Sequence, residues 1–364
     1  MTNREQEILD LIKKNPMISQ KELANSLGIT RSSVAVHITN LLKKGYIVGK
    51  GYIINEEAYV SIIGGTNVDI QGFPNDKLIS KDSNPGEVKI SLGGVGRNIG
   101  ENLVKLGVET KLISVVGDDV YGRKILEESR NIGLNMEDSL VLKGKSTSTY
   151  LSILDGEGDM SVAIAHMDIF DSLKVEYIQE KKHIIEHSKI CIIDTNISKE
   201  VIEYIVSNHK NTDFFLDTVS TKKAQKVKDI IGYFHTIKPN KLEAEMLSGI
   251  KINNQTDLEN TAKYFLDKGV KRVFISLGAE GVYYNDGINS NIIKTPKIEV
   301  VNATGAGDAF IAALAYSHLN DFEIDHAARF ASVASIMALS HENTINPNMS
   351  LENINKKMKE IGLC

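Results

Sequence analysis

Residues 302–308, which read Asn-Ala-Thr-Gly-Ala-Gly-Asp, could transfer a phosphoryl group. Their glycines allow successive backbone N–H groups to point into one concavity, and the small-residue helix that follows adds the positive end of its dipole. Gly305, Ala306 and Gly307 are therefore predicted to hold phosphoryl oxygens during transfer. Asp308, at the edge of this concavity, is predicted to accept the proton of an attacking hydroxyl. The structural alternative is a glycine-rich turn with an aspartate at a helix start.

A second glycine-rich segment, residues 91–100, could receive a hydroxylated ligand. Gly93 and Gly94 would let the ligand approach the backbone, and Asn98 would bond its hydroxyls from the first turn of the next helix. The segment lacks the Gly-Lys-Ser/Thr ending of a P-loop. It also lacks the acidic residue that ends a second strand about 20 residues later in dinucleotide sites. A plain strand–helix turn is the alternative.

Two further segments place polar side chains beside predicted strands or helices. Asn67 and Asp69 follow the first apolar strand, at the carboxyl edge where open α/β sheets bind ligands, and Asp69 is suited to accept two sugar hydroxyls. Asn240 and Glu243 lie three residues apart, on one face if a helix begins there, which suits Mg²⁺ held through water. The alternatives are an Asx turn at the first pair and a capping box at the second.

Apolar runs predict the elements that position these segments. From residue 59 onward, buried-strand runs (one of them residues 112–116) alternate with helical stretches, which predicts an α/β fold with a mostly parallel, doubly wound sheet. Residues 71–92 and 146–165 differ, because polar and apolar residues alternate there around turn signals. We expect these two segments to form a small β-sheet that acts as a lid.

Residues 1–57 are predicted to form a separate winged helix-turn-helix domain. Three short helical patterns are followed by alternation around glycines at residues 46–54, which indicates a hairpin. The segment has eight Lys and Arg against six Asp and Glu, a net charge of +2. The candidate DNA-contacting residues on the predicted recognition helix are Arg31, Ser32, Ser33 and His37. A vestigial or oligomerising domain is the alternative.

The composition excludes several classes of protein. The net charge of −5 provides no global basic field that would draw the whole chain to nucleic acid, and two cysteines cannot form a disulfide framework. The polar start of the chain is unlike a signal peptide, and its apolar runs are all shorter than the roughly 18 residues of a membrane helix. We therefore expect a cytoplasmic protein without membrane contact.

The order of the four segments, Asn-x-Asp, Gly-Gly-x-Gly-x-Asn, Asn-x-x-Glu and Thr-Gly-Ala-Gly-Asp, resembles the ribokinase-like (PfkB) carbohydrate and nucleoside kinases. The resemblance covers about residues 58–362 and implies a sheet with helices on both sides, a small β lid, ATP with Mg²⁺ and often a stimulating K⁺. Residues 82–86, 148–152, 194–198 and 235–240 are similar to the bacterial pseudouridine kinases within this family. That similarity implies phosphorylation of the 5′-hydroxyl of pseudouridine.

The same resemblance implies roles by position. Sugar-contacting positions fall on Asn67, Asp69, Gly94, Asn98 and Asn196, and Thr149 would touch the base from the lid. The nucleotide side is implied for Asn240, Glu243, Ser276 and Gly278, and the catalytic base for Asp308. Many relatives have Asp where this chain has Asn302, which keeps an oxygen for K⁺ but loses the charge.

Two alternative functions remain open. A kinase of this family could act on uridine, inosine or ribose, because none of the motifs defines the edge of the base that is read. The chain could also be a transcription regulator that senses its ligand through a kinase-like domain. We expect a homodimer, since most operators are symmetric.

Overall fold

The computed structural model describes residues 1–49, 59–155, 159–296 and 298–364, which form two compact units. The smaller unit is Met1–Ala58 with Lys182–His187, and the larger unit is Tyr59–Lys181 with Ser188–Cys364. Across these described ranges, none of the helices is long and apolar enough to cross a membrane.

The three predicted helices of the smaller unit form because each has a strong N-cap. Thr2 and Ser19 each accept a backbone N–H in a capping box, and Thr30 accepts the N–H of Ser33. Residues 50–54 of the predicted hairpin lie outside the described part of the chain. The helices are α1 (Asn3–Lys14), α2 (Gln20–Leu27) and α3 (Arg31–Lys43). Their inward faces form an apolar core that includes Ile8, Ile12, Leu23, Val34, Ile38 and Leu41.

Strands and helices alternate along most of the larger unit. The strands, in chain order, are β1 (Val60–Ile63), β2 (Asn67–Pro74), β3 (Gly86–Gly93), β4 (Thr110–Ile113), β5 (Val115–Gly117), β6 (Leu140–Leu142), β7 (Thr149–Leu154), β8 (Met160–His166), β9 (Ile190–Asp194), β10 (Asp213–Asp217), β11 (Thr236–Ile237), β12 (Arg272–Ser276), β13 (Val282–Asn285) and β14 (Ser290–Ile293). The helices after α3 are α4 (Val95–Lys105), α5 (Val120–Asn131), α6 (Val175–Glu180), α7 (Lys182–Glu186), α8 (Lys199–Asn208), α9 (Thr221–Ala224), α10 (Lys241–Ser248), α11 (Gln255–Lys268), α12 (Ala306–Leu319), α13 (Ile324–Leu339) and α14 (Leu351–Glu360). Of these, α7 belongs to the smaller unit.

Eight of the described strands form the central sheet, in the order β14-β13-β12-β11-β10-β9-β1-β4. The strands from β12 to β4 run parallel, whereas β13 and β14 are antiparallel additions at one edge. β1 and β9 are buried along their whole length, as expected of parallel strands that are covered on both faces. The predicted mostly parallel sheet is confirmed.

The apolar run at residues 112–116 is divided between two strands, so the prediction of a single strand is wrong. Ser114 interrupts the run, because its backbone N–H donates to Ser139 Oγ at 3.0 Å and its carbonyl accepts from Leu140 N at 2.8 Å. β4 stays in the central sheet, and β5 pairs instead with β6.

A smaller sheet holds β3-β2-β7-β8 in that order, within the residues that the structure describes. β2 and β7 are parallel, and the outer pairs are antiparallel. Its outer strands expose apolar side chains: Ile90 is 47% and Ile164 is 62% exposed. The register places the residues of this apolar face opposite one another across the four strands, namely Ile90, Ile70, Leu151 and Ile164 in one row and Val88, Gly72, Ile153 and Val162 in the next. The service of this sheet as a lid stays a prediction.

α12 is enclosed by other elements along most of its length. The run from Asp308 to Ala315 is buried at every position, and four of those residues are alanines. Small side chains let α12 pack closely on α13 and α4. The helix therefore belongs to the hydrophobic core of the larger unit.

Candidate active site

Charged side chains meet at the carboxyl edge of the central sheet. Asp194 ends β9, Asp217 ends β10 and Lys238 follows β11, and these three strands are neighbours. The first turn of α12 brings Asp308 into the electrostatic field of all three side chains. The edge where open α/β sheets bind ligands is thus also the place where the predicted catalytic carboxylate lies.

Asp308 is a buried carboxyl group held by one amide. Asn98 Nδ2 donates a hydrogen bond to Asp308 Oδ2 at 2.8 Å. Burial, and next the negative charge of Asp217, raise the pKa of Asp308 to about 7, although Asn98 and Lys238 lower it. A carboxyl group with a pKa near 7 can accept a proton at neutral pH, as a general base must.

The carbonyl oxygen of the Asn98 side chain, Oδ1, is an acceptor that could bind a ligand. This atom is buried and has no hydrogen-bond partner among the described residues. A buried acceptor without a partner costs about 1–3 kcal/mol. The hydroxyl of a bound ligand would satisfy this oxygen, and it would then lie beside the carboxylate of Asp308.

The glycine-rich segment before Asp308 forms the N-terminus of α12. Gly305 is the N-cap residue, with a φ of 84°, and its side-chain position is closed, because a Cβ there would lie 2.1 Å from the carbonyl oxygen of Thr344. The N–H groups of the first turn have no partners within the helix and attract anions. Gly305, Ala306 and Gly307 therefore form a turn that could bind an anion, and their role in holding phosphoryl oxygens stays a prediction.

Lys238 completes this turn, although the sequence had not assigned it a role. A Cβ on Gly307 would lie 2.8 Å from Lys238 Nζ, so the ammonium group is directly beside the turn. Lys238 Nζ also lies 3.6 Å from Asp217 Oδ2. A lysine directly after a buried strand was the available signal, since strand ends meet at this edge.

Asn67 and Asp69 are paired on the smaller sheet. Asn67 Nδ2 donates to Asp69 Oδ1 at 2.7 Å, and burial raises the pKa of Asp69. Both residues lie in β2, within the strand rather than after the end of β1, which refines the sequence expectation. Gly93 lies opposite Asn67, and a Cβ there would come within 2.1 Å of Asp69 Oδ2. Thr149 pairs with Val68 on the neighbouring strand.

The loop after β9 brings Asn196 next to Gly65, where a Cβ would lie 2.8 Å from Asn196 Nδ2. Asp194, which is fully buried, accepts the backbone N–H groups of Gly65 and Asn196 at 2.7 and 2.8 Å. Lys223 Nζ donates to Asn196 Oδ1 at 2.5 Å, and burial lowers the pKa of Lys223. Sequence reasoning missed both Asp194 and Lys223. The position of Asp194 at the end of an apolar run could have identified it, whereas Lys223 has no local signal.

The glycine pair at residues 93 and 94 joins the two sheets. Gly94 has a φ of 98° and begins α4, and a Cβ there would lie 2.4 Å from Thr66 Cα. This close approach of the backbones places Gly94 and Asn98 next to the loop that leads to Asn67. The predicted sugar-side residues therefore border one region of the larger unit.

Asn240 and Glu243 form the capping box of α10, which was the structural alternative. Glu243 Oε2 accepts the Asn240 backbone N–H at 2.9 Å and also the hydroxyl of Thr218 at 2.6 Å. Asn240 and Ser276 are bridged between neighbouring strand ends, and Gly278 follows with a φ of 63°. The four nucleotide-side residues are thus close in the fold, and the Mg²⁺ role of Glu243 stays a prediction.

Asn302 uses both ends of its amide to hold local backbone. Its Nδ2 donates to the carbonyl of Glu342 at 2.8 Å, and its Oδ1 accepts from Thr304 N at 2.9 Å. These contacts join the start of the glycine-rich segment at residues 302–308 to the loop that contains Thr344. The K⁺ role of Asn302 stays a prediction.

The predicted DNA-contacting residues occupy the first half of α3. Arg31 and Ser32 are exposed, whereas Ser33 and His37 are partly buried. Gly28, with a φ of 63°, ends α2, and Thr30 starts α3 two residues later, so the connection is a tight turn. This arrangement of α2 and α3 is that of a helix-turn-helix.

Two family models match the chain. One, described as pfkB family carbohydrate kinase, matches residues 57–351, and the other, winged helix-turn-helix DNA-binding, matches residues 1–48. Among characterised relatives, the pseudouridine kinase of Escherichia coli K12 is 41% identical over 302 residues, which are 83% of this chain and 96% of that protein. An uncharacterised sugar kinase of the same organism, YeiI, is 36% identical over 97% of this chain and 98% of its own length.

Solved structures show the same fold. A candidate sugar kinase from Clostridium perfringens is 43% identical, with a TM-score of 0.78 over 84% of this chain and 97% of that one. Ribokinase of Arabidopsis thaliana, solved with ribose and ATP, is 19% identical, with a TM-score of 0.72 over 83% of this chain and 99% of its own. The ribokinase-like fold is therefore confirmed, as is the winged helix-turn-helix at the N-terminus. This chain belongs to the pfkB family of carbohydrate kinases.

Proposed function

We propose that this chain transfers the γ-phosphoryl group of ATP to the 5′-hydroxyl of pseudouridine. The observation that carries the proposal is the buried Asn98–Asp308 pair beside Lys238, since it combines a base, a free acceptor and a cation. The identity of 41% to a pseudouridine kinase supports the choice of nucleoside. Asn67, Asp69, Gly93, Gly94, Asn98, Thr149 and Asn196 are the proposed substrate-binding residues.

Asp308 acts as the general base in this proposal. Its carboxylate accepts the proton of the 5′-hydroxyl while the hydroxyl oxygen forms a bond to the γ-phosphorus. The bond between that phosphorus and the β–γ bridging oxygen breaks, and the electron pair leaves with ADP. Asn98 would orient the carboxylate through Nδ2 and bind a nucleoside hydroxyl through Oδ1.

The turn at Gly305–Gly307 and Lys238 would stabilise the transferring group. Backbone N–H groups at the start of α12 are fixed donors, so they need no reorganisation when negative charge develops. Lys238 adds a full positive charge beside them. Movement of the smaller sheet over the site would exclude water and limit hydrolysis of ATP.

The oxygen atoms at this edge fit a Mg²⁺ ion held through water. Asp217 and Glu243 offer carboxylates, and Glu243 Oε2 already has two donors, which favours an indirect contact. When bound, Mg²⁺ supplies charge neutralisation to the phosphate oxygens. A stimulating K⁺ ion would depend on backbone carbonyls, because both polar atoms of the Asn302 side chain have partners.

A panel of acceptors tests the proposal. Pseudouridine, uridine, inosine and ribose are each incubated with ATP and Mg²⁺, and ADP formation is measured with wild-type protein and with Asp308→Ala. We expect the highest kcat/KM for pseudouridine and loss of turnover in the variant. A higher kcat/KM for another acceptor would identify that acceptor as the substrate instead of pseudouridine. Near-normal turnover of a folded Asp308→Ala protein would contradict the role of Asp308 as the base.

A regulatory function is a second candidate, because the match to winged helix-turn-helix DNA-binding proteins covers residues 1–48. We propose that Arg31, Ser32, Ser33 and His37 contact DNA from α3. Binding to the DNA upstream of the gene is measured across salt concentrations, with and without pseudouridine. Affinity that does not depend on sequence, and does not change with the nucleoside, would contradict a sensing role.

A homodimer is also proposed, with the apolar face of the smaller sheet as the contact between copies. Val88 and Ile90 on β3 and Val162 and Ile164 on β8 are exposed, and with the apolar residues between them they would form a self-complementary surface when two copies meet. Sedimentation of wild type and of Ile164→Lys tests this. A dimer that persists unchanged in the variant would exclude this face.

A further inference from the structure

Three metal-ligating side chains converge at the edge of the central sheet opposite to the proposed active site. Asp213 is the first residue of β10 and His235 directly precedes β11, so both lie at the amino ends of parallel strands. His318 reaches them from the last turn of α12. β10 ends at Asp217, which places the two ends of this strand about 13 Å apart.

We propose that Asp213, His235 and His318 form a binding site for a transition metal ion of the zinc class. His318 Nε2 lies 2.9 Å from Asp213 Oδ2, and one ligand atom from each of the three residues lies within 4.8 Å of the other two. Ligand atoms around a tetrahedral zinc ion are about 3.4 Å apart. Small side-chain rotations would therefore bring the three ligand atoms to the spacing of a tetrahedral ion. The fourth coordination position would be left for water.

The imidazole rings are already oriented by their surroundings. His235 Nδ1 lies 2.9 Å from Thr236 Oγ1, and its ring stacks on Phe215 with an interplanar angle of 4°. His318 packs against the same Phe215, and the two histidine rings are 4.6 Å apart between centroids. Hydrogen bonds and packing that hold the ligand side chains in place raise metal affinity, because these side chains then lose little conformational entropy when the ion binds.

The donor set selects the class of metal. Two imidazoles and one carboxylate suit zinc and its neighbours, whereas Mg²⁺ and Ca²⁺ require more oxygen ligands. Lys189, Lys271 and Arg272 contribute positive charge near these residues, which lowers the affinity for any cation. The carbonyl end of α12 partly offsets that charge, since a helix C-terminus favours a cation.

Zinc titration of the full-length chain tests this site. The protein carries Cys364→Ser, because the exposed thiol of Cys364 could bind zinc by itself, and any affinity tag is removed. We expect one zinc ion per chain by calorimetry and a rise in Tm on addition of zinc. We also expect Co²⁺ to show visible d–d absorption without thiolate charge transfer.

Variants assign the binding to the three side chains. His318→Gln, His235→Gln and Asp213→Asn should each weaken zinc affinity at least tenfold, whereas His326→Gln, an exposed histidine on α13, should leave it unchanged. Circular dichroism verifies that each variant is folded. Zinc binding of the parent strength in all three variants, or the absence of binding to the parent protein, would overturn the proposal. Neither result depends on the kinase assignment.

Discussion

Asn98 and Asp308, which are 210 residues apart in the chain, are joined by a hydrogen bond of 2.8 Å between the first turns of α4 and α12. One amide therefore orients the proposed base and still has a free acceptor for a ligand. The contact also couples the two glycine-rich segments, since one lies at the start of each helix. The proposed chemistry depends on this pairing of helix N-termini.

The rate should depend on pH through Asp308. A base must be deprotonated to act, and burial raises the pKa of Asp308 to about 7. We expect kcat/KM for the nucleoside to fall about tenfold per pH unit below this value and to level off above it. Initial rates of ADP formation between pH 5.5 and 8.5, at constant ionic strength, measure the profile.

Asn98→Ala provides the matched comparison for that profile. Its hydrogen bond lowers the pKa of Asp308, so removal should move the inflection to higher pH and raise KM for the nucleoside. A variant that loses activity equally at all pH values would indicate a structural defect instead.

Asp308→Asn should raise the stability of the protein at high pH while lowering its activity. The folded protein has a pKa for this group above the unfolded value, so Asp308 binds more protons when folded and its contribution to stability falls as pH rises toward about 7. The amide removes that pH-dependent cost. We expect a higher Tm than wild type at pH 8, a smaller difference at pH 5, and a loss of about 10²–10⁴-fold in kcat. Thermal melts without ligands measure the first effect, and an equal or lower Tm at pH 8 would contradict it.

Lys238→Ala should weaken the stabilisation of the transferring phosphoryl group. The lost ammonium group lies beside the anion-binding turn, and removal of such a group costs about 10²–10³-fold in kcat. Lys241→Ala is the control, because Lys241 is exposed on the neighbouring helix α10. Steady-state rates at varied ATP concentration measure kcat for both variants. Equal kcat values would exclude the role of Lys238 in stabilising the transferring group.

Lys223→Met should act on nucleoside affinity through Asn196. Its ammonium group holds the Asn196 amide at 2.5 Å, so its loss frees that side chain to rotate. We expect KM for the nucleoside to rise about tenfold, with kcat and KM for ATP nearly unchanged. Lys222→Met, an exposed neighbour, is the matched control. A change confined to ATP kinetics would place Lys223 elsewhere in the mechanism.

Much of the fold was predictable because it follows from local patterns. Apolar runs such as β9 and capped helices such as α2 carry their own signals. The split at Ser114 was not predictable, since it depends on Ser139, which lies 25 residues later. A contact between residues this far apart in the chain depends on the tertiary fold and leaves no local sequence signal.

The candidate site divides in the same way. Asp308 and Asn98 belong to glycine-rich segments whose composition indicates their chemistry. Lys223 lies in the polar run that forms α9 and gains meaning only when that short helix folds against the loop at Asn196. Glu243 shows the converse, because its spacing from Asn240 predicted both a metal ligand and a capping box, and the capping box is present.

The burial of α12 in the hydrophobic core restricts the movement of Asp308. The base lies at the start of a helix that is buried along the run from Asp308 to Ala315, so displacement of that helix would open the core. The smaller sheet is less enclosed, because its outer strands expose apolar side chains. If the proposed function holds, closure of the site would require the sheet that holds Asn67 and Asp69 to move toward Asp308, rather than α12 toward that sheet.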